Sequence, residues 1–233
     1  MMKKLAIAVV ALMFLAPTLG LVTVGLVMNS AVVECLSSSG LALGNVPESL
    51  VVTTANGETF TLNKQQLTHA ATIITVGSRI EGVTRDGVQI AIMAALTEST
   101  LRQLANTGTY PESGGYPNDG NGSDHDSLGL FQMRPQSGWG SVAELMDPKY
   151  QAAAFFGGPS GPNYPSPRGL LDIPGWQSMG KGEAAQAVEV SVYPDRYTNY
   201  EPVAENILTN LTSGTSTSST TAPSPAYGIC QGE

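Results

Sequence analysis

Between Val88 and Leu96 only Gln89 is polar. A helix apolar on every side cannot lie on a surface; it has to run through the middle of a domain and be covered by other elements. The neighbouring segments suit that task. Asn63 with Gln66, Asp86 with Gln89, and Ser141 with Glu144 have the spacing of N-terminal capping boxes. Leu67, Ala71, Ile74 and Ser78 follow the first box at helical spacing, which predicts a helix stopped by Gly82. The second box opens GVQIAIMAALTESTLRQLAN, expected to be one helix. Asp147-Pro148 predicts a further helix that stops at Gly157-Gly158, and two more are expected over 182–192 and 201–211. Ahead of them all, LVVTTANGETFTL sets Asn56-Gly57 between two β-rich runs, a hairpin signal over 50–62. The expected fold class is mainly α with a small N-terminal β-hairpin.

With 233 residues and 42% hydrophobic content, there is room for one folded domain and its ends. Lys3 and Lys4 precede a run that carries no charge until Glu34. A secretory signal has an apolar core of roughly 7–15 residues and a spanning helix needs about 20, so the run matches the longer type, and no A-x-A triplet closes it. Residues 1–33 therefore read as an uncleaved signal anchor attaching the protein to a membrane, with the lysines on the cytoplasmic side. The alternative is a long cleaved signal peptide, and either reading exports the domain. Residues 34–49 read as a linker, 50–208 as the domain, and 209–233 as a Ser/Thr/Pro-rich tail unable to build a core. Cys35 and Cys230 are the two cysteines; in an exported chain such a pair predicts a disulfide, tying the tail to the membrane-proximal end. A net charge of −8 with no basic stretch argues against a nucleic-acid partner.

Two features carry chemistry. Glu98 shares a helical face with Ala91, Ala94 and Ala95, so a carboxyl is expected near the end of a buried helix, beside small residues that leave room for a substrate. Burial disfavours the charged form, and a protonated carboxyl in a cleft is what cleavage of a glycosidic bond requires of its acid. The alternative is an exposed carboxylate paired with Arg102 one turn later. The second feature is DSLGLFQMRPQSGWG, both turn-prone and apolar. Leu130, Phe131 and Met133 are suited to plugging the core, Gly129 to letting the backbone approach a ligand, and Gln132 to pointing an amide at sugar hydroxyls or acetamides. Trp139 and Tyr193 are candidate aromatic faces for a sugar ring. A core-plugging turn without ligand contact is the alternative.

Glu98-Ser99, then Ser127, Gly129-Leu130-Phe131-Gln132 and Pro135, resemble the Glu-Ser … Gly-Leu-Met-Gln pattern of soluble lytic transglycosylases and goose-type lysozymes. LNKQQLTHAATIITVG, PGW and AAQAVEVSVYPDRY extend the likeness to the lysozyme-like domain of exported actinobacterial proteins, over about 62–200. The resemblance implies an α-rich lysozyme-like fold around a saccharide groove, with the glycan strands of peptidoglycan as partner and no cofactor. It implies Glu98 as catalytic acid, with Ser99, Ser127, Gly129, Phe131, Gln132, Trp139 and Tyr193 contributing to the groove. In a lytic transglycosylase that one carboxyl suffices, because the muramic acid's own C6 hydroxyl closes a 1,6-anhydro ring. A hydrolase needs a base to position water, and Asp126 lies where it would serve. Asp124, beside it, reads as loop capping. The chain departs from the pattern in lacking Ala-Tyr-Asn-Ala-Gly; VSVYPDRY stands there, with Tyr193 the nearest counterpart of the tyrosine.

Other chemistries fit less well. The alternating oxygens of Asp119 to Asp126 resemble a calcium loop, but its sixth and twelfth positions are Asp124 and Leu130, not Gly and Glu. His69 and His125 lack metal-ligand spacing and read as surface residues, so no metal site is expected. No Gly-x-Ser-x-Gly elbow accompanies either histidine. The serious rival is a non-enzymatic wall-binding or scaffold module within a secretion or conjugation apparatus.

Overall fold

The structure is a computed structural model that describes residues 41–190 and 193–212. The predicted anchor, both cysteines and most of the tail lie outside the described residues. Among the described residues, no helix is long and apolar enough to cross a membrane.

The domain is mainly helical with a two-stranded antiparallel hairpin at its start, β1 (Ser49–Thr53) and β2 (Thr59–Asn63), in which Val52 faces Phe60 and Leu50 faces Leu62. Asn56 and Gly57 sit inside a five-residue loop from Thr54 to Glu58, and Gly57 takes the positive φ of +90° that the turn requires. The loop is pinned from outside: the Ala55 N–H donates to Asn199 O (2.9 Å) and the Asn56 N–H to Asn199 Oδ1 (3.0 Å).

Helix α1 (Lys64–Gly77) opens with the predicted Asn63/Gln66 capping box. It stops at Gly77, five residues short of Gly82. Gly82 instead reverses the chain, at φ +87°, after the tight turns that follow α1. Helix α2 (Arg85–Ser99) is capped by Thr84, whose side chain accepts from the Gly87 N–H, not by Asp86, which lies in the first turn. Every residue from Gly87 to Leu96 is buried. Gln89, the one polar residue of the run, is satisfied from both sides: its Nε2 donates to Glu201 O (3.3 Å) and its Oε1 accepts from Lys181 Nζ (2.7 Å). The predicted continuation to Asn106 does not form, because Thr100 and Leu101 take left-handed φ of 55° and 58°.

Around α2 pack α1, α4 (Pro148–Phe156), α5 (Lys181–Glu189), α6 (Pro194–Thr198) and α7 (Glu201–Thr212). The short α3 (Val142–Leu145) carries the predicted Ser141/Glu144 capping box, and α4 starts on Asp147 and ends at Gly157 as expected. The predicted helix over 182–192 ends at Glu189, and α6 was not anticipated. Arg85 grips Glu205 with two hydrogen bonds of 2.8 and 2.7 Å, joining the start of α2 to α7. The alanines expected to leave room beside Glu98 do not: Ala91, Ala94 and Ala95 are fully buried, and α5 packs close against α2 with its own buried Ala184 and Ala185. Small residues here serve helix approach. His69, expected at the surface, is 6% exposed, with its Nε2 2.7 Å from Asp119 Oδ2.

Candidate functional site

The early end of α2 decides the setting of Glu98. With the backbone turned at Thr100, Arg102 folds back so that its Nε donates to Ser99 O (3.2 Å), and it forms no pair with Glu98. Glu98 is half-buried in the last turn, and the Tyr197 hydroxyl of α6 donates to its Oε1 at 2.7 Å. Burial pushes the Glu98 carboxyl above its ordinary pKa; the Tyr197 hydrogen bond and Arg196 pull it down, Asp124 pushes it up, and the outcome is a raised value. Glu189, the last residue of α5, lies within its field. Burial first, then the charge of Glu98, drive Glu189 well above the carboxylate range. Among the described residues, neither carboxyl has an ion-pair partner.

Ser99 turns away from any groove. Its buried hydroxyl donates to Leu130 O (2.7 Å) and Ala95 O (3.2 Å) and accepts from the Arg102 N–H (3.1 Å), fastening the end of α2 to the loop at Leu128–Met133. That loop is a closed turn: Leu128 N donates to Met133 O (2.9 Å) and Gly129 N to Leu104 O (2.8 Å). Leu128, Leu130, Phe131 and Met133 are all buried, and Phe131 stacks on Phe155 with ring centroids 4.8 Å apart. The organiser is Gln151, fully buried on α4, whose Oε1 accepts from Phe131 N (2.9 Å) while its Nε2 reaches Leu128 O (3.2 Å) and, more closely, Leu145 O. Gly129, at φ +77°, is needed for this partner: a Cβ there would run into the Gln151 amide and come within 2.7 Å of Leu145 O.

Ser99, Ser127, Gly129 and Phe131, expected at the ligand, are all buried. Ser127 is buried, with its N–H on Asp124 O (3.0 Å). From the tetrad, Gln132 alone is half-exposed; at φ 48° its Nε2 donates back to Gly129 O (2.9 Å).

Asp126 is 2% exposed, and its two oxygens are taken by the Arg134 guanidinium and by the Gln136 N–H (2.9 Å). Burial alone would raise it, but the Gln136 N–H and Arg134 outweigh that, and its pKa lies below the ordinary value. Both oxygens thereby anchor the loop, and the proton affinity of the carboxylate is reduced. Trp139 is half-buried and lines a cavity of about 280 Å³ with Ser137, Pro167, Arg168, Val188 and Val190, beside the last turn of α5 that carries Glu189. Tyr193 is 61% exposed at the start of α6; the tyrosine on Glu98 is Tyr197, one helical turn further on.

Sequence reasoning missed Tyr197, Glu189 and Gln151. YPDRY holds two tyrosines, and a proline at N1 of a helix would have placed the second within that helix and the first outside it. In AAQAVEV the single glutamate among small apolar residues was the other available signal. A separate cavity of about 550 Å³, lined by Gln65, His69, Gln103, Asp119, Met146 and Pro148 among others, shares none of the residues of the Glu98 group. No group of three or more His, Cys, Asp or Glu side chains gathers to hold a metal among the described residues. No protein-family model matches the chain, and no curated protein does.

Proposed function

We propose that this chain is an exported, membrane-anchored domain of lysozyme-like fold that cleaves the β-1,4 bond between N-acetylmuramic acid and N-acetylglucosamine in peptidoglycan, by lytic transglycosylation, with Glu98 as the acid and base. The observation that carries the reading is Glu98 itself. It is a half-buried carboxyl with raised proton affinity and no ion pair among the described residues, held in one orientation by Tyr197. General acids that protonate a leaving oxygen have this character.

The chemistry then follows in two steps. Glu98 gives its proton to the bridging oxygen, the C1–O bond breaks, and positive charge develops at the muramic C1. The Glu98 carboxylate next takes the proton of the C6 hydroxyl as that oxygen bonds to C1. The 1,6-anhydro ring closes, Glu98 regains its proton, and no water is consumed. Hydrolysis would ask for a second carboxylate as base. Asp126, occupied by Arg134 and Gln136, is unsuited to that task, which favours transglycosylation. Gln132, Trp139 and Tyr193 are the groove residues with accessible surface.

The test is to incubate the full-length protein, and Glu98→Gln beside it, with purified peptidoglycan and to identify released fragments by mass spectrometry. Anhydro-muropeptides from the wild type alone are the expected result. Reducing-end products would mean hydrolysis. If both proteins bind the wall and release nothing, the domain is a wall-binding module.

A further inference from the structure

The reaction above gives no task to the cavity of about 550 Å³ that lies apart from the Glu98 group, yet that cavity is lined by buried polar groups. His69 of α1 is 6% exposed and Gln103 is 2% exposed, beside the buried Met146. Asp119 is fixed from two sides. Its Oδ2 accepts from the Gln103 N–H (2.8 Å) and lies 2.7 Å from His69 Nε2, while its own N–H donates to Gln103 O (2.8 Å). Both side-chain bonds fall on Oδ2, so Oδ1 has no hydrogen-bond partner among the described residues. The Gln103 side chain repeats the pattern. Its Nε2 donates to Leu145 O (3.0 Å), which sets the orientation of the amide, and its Oε1 is buried with no partner among the described residues. An acceptor buried without a donor is costly, and native folds keep few of them.

The lining also has one sign of charge. Asp147, the N-cap of α4, adds a second carboxylate, and no lysine or arginine lines the cavity. Two carboxylates against at most one imidazolium leave the site negative whichever form His69 takes. No group of three or more His, Cys, Asp or Glu gathers to hold a metal among the described residues, so the complementary cation is an organic one. Unengaged acceptors and negative charge call for a ligand with donors and positive charge, and a primary ammonium brings three N–H groups. Met146, Pro117 and Pro148 offer apolar surface to the methylene chain behind it. The exposed Gln65 amide adds a group able to pair with a peptide bond. The volume lies in the range of sites that enclose a whole small ligand, and suits a short peptide. We propose that this cavity binds a peptide through the primary ammonium of a lysine-like side chain, with Asp119 Oδ1 and Gln103 Oε1 as its acceptors. The site shares no residue with the Glu98 group, so it stands or falls apart from the cleavage reading.

The experiment is an NMR titration of full-length, ¹⁵N-labelled protein with the peptide acetyl-Ala-Lys-Ala-amide. The same peptide with norleucine or glutamate in place of lysine, and n-butylammonium, are titrated in parallel. Saturable shifts of the Gln103 and Gln65 side-chain amides are expected, with the Trp139 indole N–H, which lies at the other cavity, unmoved. The norleucine peptide should bind about tenfold more weakly or worse, the scale of a hydrogen bond to a charged group, and the glutamate peptide more weakly still. Butylammonium, which has no peptide groups, should also bind more weakly than the lysine peptide. Asp119→Asn keeps the shape and removes the charge; it should cost the lysine peptide about the same factor and leave the norleucine peptide unchanged. If that variant does not fold, the ligand series on the wild type decides alone. No saturable binding, or equal affinity for the lysine and norleucine peptides, overturns the proposal. Butylammonium binding as tightly as the peptide overturns the peptide assignment, and shifts at Trp139 without shifts at Gln103 overturn the location.

Discussion

Glu98 and Asp126 are both drawn out of water at the ends of the same loop system, and their proton affinities shift in opposite directions. Asp126 meets a guanidinium and a backbone N–H, so its charge is welcome and its pKa drops. At Glu98 burial comes first and Asp124 adds to it, while the Tyr197 hydroxyl and Arg196 offset them only in part, so its pKa stays raised. Burial pushes both carboxyls up; it prevails at Glu98 and is outweighed at Asp126. What separates them is whether the neighbouring backbone and side chains supply enough donors to replace water. A satisfied carboxylate holds a loop; an under-satisfied one gains proton affinity.

That contrast can be broken or sharpened by substitution. The largest effect is expected from Glu98→Gln, which removes the proton donor and leaves the shape. Peptidoglycan cleavage should fall by about 10²–10⁴-fold with unfolding stability unchanged or slightly raised. Equal losses of activity and stability would place Glu98 with Asp126 as a structural carboxylate. Next comes Gly129→Ala, which touches neither carboxyl but drives a methyl into the Gln151 amide at a positive φ. Stability should drop by about 3 kcal/mol in urea unfolding.

Asp126→Asn should cost about 2 kcal/mol at neutral pH. Because its folded pKa is depressed, this contribution is present above the ordinary aspartate value and is lost as pH falls through the folded one. The variant and wild type should therefore converge in acid, and a gap that persists there would contradict the ion-pair account. The smallest change is Tyr197→Phe. The hydroxyl lowers the Glu98 pKa, so its removal should raise that value and extend cleavage toward higher pH, at about 1 kcal/mol of stability. A pH–rate profile that does not move would show that Tyr197 only packs.

Much of the frame was legible because it is local. The capping boxes at Asn63 and Ser141 place side-chain oxygens three residues from the N–H groups they satisfy, and both form. The apolar run in α2 can go nowhere but the middle. Boundaries set by distant contacts were not legible. Helix α2 ends at Ser99 where Ser99 Oγ binds Leu130 O and Gln66 Nε2 binds Thr100 O (2.8 Å), and neither partner is near in sequence. Gly129 was readable as a close approach of backbone, but not what approaches it, since Gln151 lies on another helix. Tyr193 is the N-cap just outside α6 and is exposed, whereas Tyr197 lies within the helix and is buried, a difference settled by packing.

The sequence by itself determined the helical class, the hairpin, two of the three expected capping boxes and the presence of a carboxyl at the end of a buried helix, because each depends on residues within a turn or two of one another. Only the tertiary structure decided which carboxyl gains proton affinity and which loses it. That depends on donors and charges brought from α6 and from the loop that starts at Asp124, and desolvation is a property of everything that surrounds a group, not of its neighbours in the chain.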